Sequence, residues 1–449
     1  MPRARPRFTC QSCGYESPGW FGRCPGCGEW NTLSRPAEAE PAAALARPLE
    51  DVEDADEERL ASGIAEFDRV LGGGIVPGGL VLLGGDPGVG KSTLLLQVAS
   101  CLAERWPVLY ASGEESPGQI KARARRLGSL APGLHVAAAW DTEVIASLVA
   151  SVAPRLLIVD SLQTMRHPDF PLAPGSPVQL REVTGVLLHL AKSGGLPVIL
   201  VGHVTKEGLL AGPRLLEHTV DVVLLFEGER FSPFRLLRVL KNRFGSTQEL
   251  GVFQMASQGL REVPNPSALL LAERATGVPG SVVTVALEGT RTLLCEVQAL
   301  LCTPSFGSPR RTAHGVDSSR LALLLAVLER RCQVPCGQMD AYVKVAGGVR
   351  LEEPAADLGV ALALASAFAD RPVPADLVVF GEIGLGGELR AVPRPDERLS
   401  EAGRLGFGRA IVPAAGSPGL EGMDVRPVAR LSEALEAVLG PRHRGRDQR

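Results

Sequence analysis

Apolar positions along the chain change their rhythm twice. Residues 8–31 hold few of them, and glycines and cysteines set the spacing instead. From Leu60 onward, short continuous apolar runs alternate with stretches of helical periodicity. The runs are LVLLGG (80–85), PVLYAS (107–112), RLLIVD (155–160), LPVILVGH (196–203), TVDVVLLFEG (219–228) and FRLLRVLKN (234–242). A βαβα alternation of this kind predicts an α/β domain with a parallel sheet flanked by helices. From about residue 265 the pattern shifts again. SVVTVALEG, LLCEVQALL, DAYVKVAGG and DLVVFGEIG read as strands, SSRLALLLAVLERR as an amphipathic helix, and 355–369 as a long Ala/Leu helix. The expected organisation is a cysteine element (1–33), a linker (34–58), an α/β domain (59–264) and a further α+β domain with a basic tail (265–449).

Length and composition fit that division. A chain of 449 residues exceeds one ordinary core and suggests about three domains. No apolar run approaches the ~18 residues a membrane span needs. The first residues, MPRARPRFTC, are basic without an apolar core, so a cytoplasmic protein is expected. With a net charge of −3, any nucleic-acid binding must come from local basic surface or from assembly geometry. Residues 34–58 turn from Pro/Ala-rich to acidic, with seven of the nine residues from Glu50 to Glu58 being Asp or Glu, the composition of a solvated spacer.

The strongest chemical signal is GGDPGVGKST (84–93), between a predicted strand and a predicted helix. Gly85, Asp86, Pro87, Gly88, Val89, Gly90, Lys91, Ser92 and Thr93 form a phosphate-binding loop in the context that gives the motif its mechanism. Glycines let backbone N–H groups turn inward around a phosphate, and the helix starting near Lys91 adds its positive end. Lys91 reaches the outer phosphates of ATP, and the Ser92 hydroxyl suits Mg²⁺.

Four of the nine cysteines lie within residues 10–27: Cys10/Cys13 and Cys24/Cys27, two Cys-x-x-Cys pairs ten residues apart. Thiolates so spaced converge on a tetrahedral ion, and so short a segment has little else to stabilise it. A structural Zn²⁺ site is expected. Iron in a rubredoxin-like site, a redox pair and two disulfides are the competing readings.

Polar groups gather at the predicted strand ends, where ligands bind in open α/β sheets. Asp160 closes RLLIVD and can hold Mg²⁺ through water. Glu114 or Glu115, after PVLYASG, can orient and deprotonate the attacking water, and Glu114 is the favoured one. His203, ending LPVILVGH, is placed to sense the γ-phosphate. Lys241 and Arg243 in KNRFG suit a finger reaching a neighbouring subunit's nucleotide. Two segments read as irregular, 163–181 and 204–218, and long loops inside a domain are usually functional. Their cations Arg166, Arg181, Lys206 and Arg214 would contact a DNA backbone if several copies lined a channel.

With these residues in place, the chain closely resembles the bacterial RadA/Sms family of DNA-repair ATPases. The resemblance is carried by the four-cysteine element, GGDPGVGKST, SGEES (112–116), LLIVD, GHVTKEG and KNRFG, and covers nearly the whole chain. It implies a zinc-ribbon-like element, a RecA-like ATPase domain and a C-terminal α+β domain like the proteolytic domain of Lon. It further implies a hexameric ATP-driven motor on single-stranded and branched DNA that migrates branches alongside the RecA recombinase, with Lys241 and Arg243 coupling nucleotide to DNA. The Lon-like pattern departs at its catalytic positions. Ala355 stands where the nucleophilic serine would, and Asp396 falls at the position of the dyad lysine. With neither group present, serine–lysine proteolysis is not expected. A nucleotide-gated assembly platform with slow, DNA-independent hydrolysis is the alternative to a motor.

Overall fold

The computed structural model describes residues 8–10, 12–13, 15–17, 22–30, 33–34, 59–202, 215–228, 234–304, 309–416 and 419–440. The chain divides into two compact units, Met1–Asp56 and Glu57–Arg449. The first holds a small antiparallel sheet of β1 (Phe8–Cys10), β2 (Glu16–Ser17) and β3 (Leu33–Ser34), in the order β2-β1-β3.

The second unit opens with α1 (Ala65–Val70), β4 (Leu80–Gly85), α2 (Lys91–Ala103), β5 (Val108–Ser112), α3 (Pro117–Leu127), β6 (Leu134–Ala138) and α4 (Thr142–Val152). There follow β7 (Leu156–Asp160), α5 (Pro177–Gly194), β8 (Val198–Val201), α6 (Leu215–Thr219), β9 (Val222–Glu227), β10 (Phe234–Asn242), β11 (Leu250–Ala256) and β12 (Gly259–Glu262). They make a nine-stranded sheet ordered β12-β11-β10-β9-β4-β8-β7-β5-β6. The six strands from β9 to β6 are parallel, and β10, β11 and β12 continue antiparallel. Every residue of β4, β5, β7 and β8 is buried, which explains why these strands read as continuous apolar runs. Val81 and Leu83 of β4 face one layer, with α1, α2 and α3, while Leu80 and Leu82 face the other, with α4, α5 and α6.

The remainder is α7 (Pro266–Leu271), β13 (Ser281–Glu288), β14 (Arg291–Cys302), β15 (Arg311–His314), α8 (Ser318–Cys332), β16 (Asp340–Val345), α9 (Asp357–Ala369), β17 (Leu377–Val379), β18 (Glu382–Ile383), β19 (Leu389–Arg390), α10 (Pro395–Arg404), β20 (Arg409–Pro413), β21 (Asp424–Val428) and α11 (Leu431–Leu439). Seven of these strands form a mixed sheet ordered β15-β16-β14-β13-β17-β20-β21. Helices α8, α9 and α11 pack on one face and α10 on the other. The core under α8 and α9 extends into Leu250, Val252 and Val263, so the two sheets share apolar packing.

In the nine-stranded sheet β6, β11 and β12 were not anticipated, and further along the chain neither were β15, β19, β20 and β21. Residues 163–181 also depart from the irregular segment expected. Leu162–Thr164 form one helical turn, and α5 begins at Pro177. Proline's fixed φ and missing N–H suit the first helical position, so the residue that reads as a breaker is a start signal.

Arg398 is the largest fully buried side chain in the second unit. It forms an ion pair with Glu353, donates to the Val285 carbonyl at 2.7 Å and to Pro393 O at 3.0 Å, and lies 5.6 Å from the Phe380 ring. Glu353 in turn accepts from the Leu287 amide at 2.6 Å. Removing one partner of a buried pair strands the other charge. Arg398→Ala is therefore expected to lower unfolding free energy by about 3–5 kcal/mol, read by urea titration.

Candidate functional site

Strand β4 delivers the loop 84–93 to the C-terminal edge of the parallel sheet. Gly85 pairs with Phe226, and a Cβ there would lie 2.4 Å from the Phe226 carbonyl oxygen, so no side chain fits. Gly90, with φ of 118°, turns the chain into α2. The first turn of α2 carries no acidic residue, leaving its N–H groups and positive end for an anion. Asp86, Pro87 and Gly88 are exposed, and Ser92 and Thr93 half-buried. Lys91 is buried, its Nζ donating to Gly85 O at 2.7 Å and Asp86 O at 3.0 Å. Burial pushes its pKa below the ordinary lysine value, opposed by the charges of Asp160, Asp86 and Glu114.

Strands β7 and β5, beyond β8 in the sheet, bring Asp160 and Glu114 up. Asp160 ends β7 level with Ser112 of β5, and its Oδ2 accepts from the Tyr110 hydroxyl at 2.5 Å. Burial beside Asp160 raises the Tyr110 phenol well above its usual pKa, so it stays a donor. Ser112 Oγ accepts from the amides of Glu114 (3.2 Å) and Glu115 (3.0 Å), turning the chain after β5. The two glutamates then separate. Glu114 accepts from Ser161 Oγ at 2.5 Å, beside Asp160, whereas Glu115 pairs with Arg123 of α3. Glu114 is thus the one gathered with Lys91 and Asp160. Tyr110, Ser112 and Ser161 are site residues that sequence reasoning missed. Their signal was present, since each is a hydroxyl inside or just after an apolar strand.

The KNRFG cations lie elsewhere. Lys241 Nζ donates to Val220 O at 2.7 Å, and Arg243 pairs with Asp221 at 3.2 Å. Buried Asp221 also accepts from the Leu80 amide at 3.0 Å and from Lys192 at 2.8 Å. Leu80 starts β4 and Gly85 ends it. At ~3.3 Å per residue, about 16 Å of strand separates KNRFG from the phosphate loop of the same chain. Arg166 is tied to Asp141 at 3.4 Å, and Arg181 is exposed on α5. His203, Lys206 and Arg214 lie outside the described residues.

In the first unit, the Sγ atoms of Cys10, Cys13, Cys24 and Cys27 all fall within 4.8 Å of one another. The pairs Cys10–Cys27 and Cys13–Cys24 are each 3.7 Å apart. Tetrahedral thiolates about 2.3 Å from a metal are about 3.8 Å apart, so the cluster fits such an ion.

Family models match three parts of the chain: a rubredoxin metal binding domain over 8–35, an AAA domain over 46–208, and the Lon protease (S16) C-terminal proteolytic domain over 334–439. The DNA repair protein RadA of Bacillus subtilis is 51% identical over 98% of this chain and 100% of its own length. The chain belongs to the RadA family of DNA repair proteins. RadA of Halalkalibacterium halodurans is 49% identical over 98% of this chain and 100% of its own length, and that of a Synechocystis strain 45% over all of this chain and 97% of its own length. A solved structure of the RadB recombinase aligns with 45% of the chain at 24% identity and a TM-score of 0.38. Among the described residues no helix is long and apolar enough to cross a membrane.

The Lon-like region of this RadA-family chain has no serine–lysine pair at the positions expected for one. Ala355 is buried in the turn before α9, its carbonyl accepting from Gly381 at 2.7 Å, and Asp396 is exposed on α10.

Two outcomes follow. Tyr110→Phe leaves a buried carboxylate oxygen without its donor, and a loss of about 1–3 kcal/mol is expected in denaturant unfolding. Elemental analysis is expected to find about one zinc per chain and no iron, with Cys24→Ser abolishing it.

Proposed function

We propose that this chain is an ATP-driven DNA-repair motor whose nucleotide sites are completed between subunits. The observation that carries the reading is buried Lys91 at the end of β4, with Asp160 and Glu114 gathered from the two strand ends beyond it. Loop amides, the α2 N-terminus and Lys91 hold the triphosphate. Ser92 and Asp160 would hold Mg²⁺, which supplies charge neutralisation on the phosphates when bound. Tyr110 donates to Asp160 and fixes the orientation of its carboxylate. Glu114, fixed by Ser161 and by its own amide on Ser112, takes the proton of the attacking water. Glu115, engaged with Arg123, shapes the start of α3.

Lys241 and Arg243 act on the nucleotide of a neighbouring subunit, as a ring, hexameric in this reading, requires. Their separation from their own loop by the length of β4 supports this. His203 senses the γ-phosphate. Arg166 and Arg181, with Lys206 and Arg214, face single-stranded or branched DNA. Membership of the RadA family supports recombinational repair, with branch migration beside RecA as the specific activity. The four cysteines hold zinc as a structural ion. Ala355 and Asp396 leave the Lon-like domain without proteolytic chemistry.

ATP turnover measured with and without single-stranded DNA tests this reading. Lys91→Ala is expected to abolish turnover, and Glu114→Gln to cut it by about 10²-fold or more while binding persists. DNA is expected to stimulate the wild type. DNA-indifferent turnover with no unwinding of branched substrates would instead fit an assembly platform.

A further inference from the structure

Strand β10 is shared by two cores. Leu237 and Val239 lie in the ATPase core with Val89 of the phosphate loop. On the opposite face, Phe234 and Leu236 pack against the core beneath α8 and α9. Two arginines extend this alternation. Arg235 is buried, and its Nε donates to the carbonyl of Val89 at 3.1 Å, inside the phosphate loop itself. Its Nη1 donates to Phe234 O at 2.7 Å. Arg238, on the other face, pairs at 2.7 Å with Glu288 at the end of β13 and at 2.7 Å with Glu227 of β9. Gly228 makes room for the first arginine, because a Cβ there would lie 2.3 Å from Arg235 Cδ.

A buried guanidinium must keep its hydrogen bonds, so the Arg235–Val89 contact is stiff. The strand bearing it is held to the C-terminal sheet by apolar packing and a largely buried ion pair. Displacing β10 therefore displaces a carbonyl two residues from Lys91.

We propose that Arg235 is a positioning residue for the phosphate loop, and that the Lon-like domain sets its position by holding β10 through Glu288, Phe234 and Leu236. The inference rests on the reading of residues 84–93 as a nucleotide loop. It gives the protease-like domain a resident task, tuning ATP affinity, that needs no catalytic residue of its own.

The test measures binding of a fluorescent ATP analogue and steady-state turnover in the full-length protein, with retained secondary structure checked for each variant. Arg235→Lys removes the Nε donor and is expected to weaken binding about tenfold, the scale of one charge-assisted hydrogen bond. Glu288→Gln is expected to weaken it about threefold through the loss of one ion pair. In both, kcat at saturating ATP stays within about twofold of wild type, and the double variant loses less than the product of the single losses. If Arg235→Lys does not fold, Gly228→Ala, which crowds Arg235, takes its place. Binding within twofold of wild type in both single variants overturns the proposal, as does a loss confined to kcat or fully independent effects. A wild type that binds no analogue would refute the nucleotide reading beneath it.

Discussion

One buried ammonium organises this molecule. Lys91 sits where a parallel sheet gives out, and burial disfavours its charge. Two loop carbonyls and the nearby carboxylates of Asp160, Asp86 and Glu114 offset that cost. The arrangement demands a glycine at 85, where the strand passes too close to Phe226 for any side chain. It also demands that β5 and β7 end level, as their register provides. Phosphate oxygens have the same chemistry as the carbonyls that Lys91 now engages. A triphosphate can therefore take over those bonds in a site already shaped for anions.

The sheet separates two kinds of polar chemistry by its own length. Lys91, Asp160 and Glu114 stand at the C-terminal edge of the parallel strands, while Lys241 and Arg243 gather around Asp221 at the other. Asp221 links that edge back to the first amide of β4 and to Lys192 of α5. Strand β10 spans both edges, meeting the phosphate loop through Arg235 near its start and ending in the KNRFG cations. The proposed intersubunit site would use both ends of this sheet, a nucleotide bound at one and a neighbour's read at the other.

Much of this was legible in the chain. Strands buried on both faces leave continuous apolar runs, so β4, β7 and β8 were placed to within two residues. The phosphate loop was readable because its glycines have a steric reason at fixed spacing, and the four cysteines because metal geometry constrains them. The peripheral strands β6, β11 and β12 escaped notice because edge and antiparallel strands carry mixed polarity. The start of α5 was read as part of the irregular segment 163–181 because a proline at a helix start, here Pro177, resembles a breaker. The roles of Tyr110 and Arg235 were hidden for another reason. Their partners, Asp160 and Val89, are distant in sequence, and only the sheet brings each pair together. The choice between Glu114 and Glu115 likewise depended on Arg123 and Ser161, whose positions no local pattern reveals.

The central claim is that each nucleotide site is completed by the KNRFG cations of an adjoining subunit. Mixing two inactive proteins tests it most directly: Lys91→Ala, which lacks a working phosphate loop, and Arg243→Ala, which lacks the reaching cation. Co-assembled, they form interfaces that join an intact loop to an intact Arg243, and ATP turnover is expected to reappear in the mixture though neither variant turns over alone. Mixed oligomers that remain as inactive as the separate variants would contradict the account.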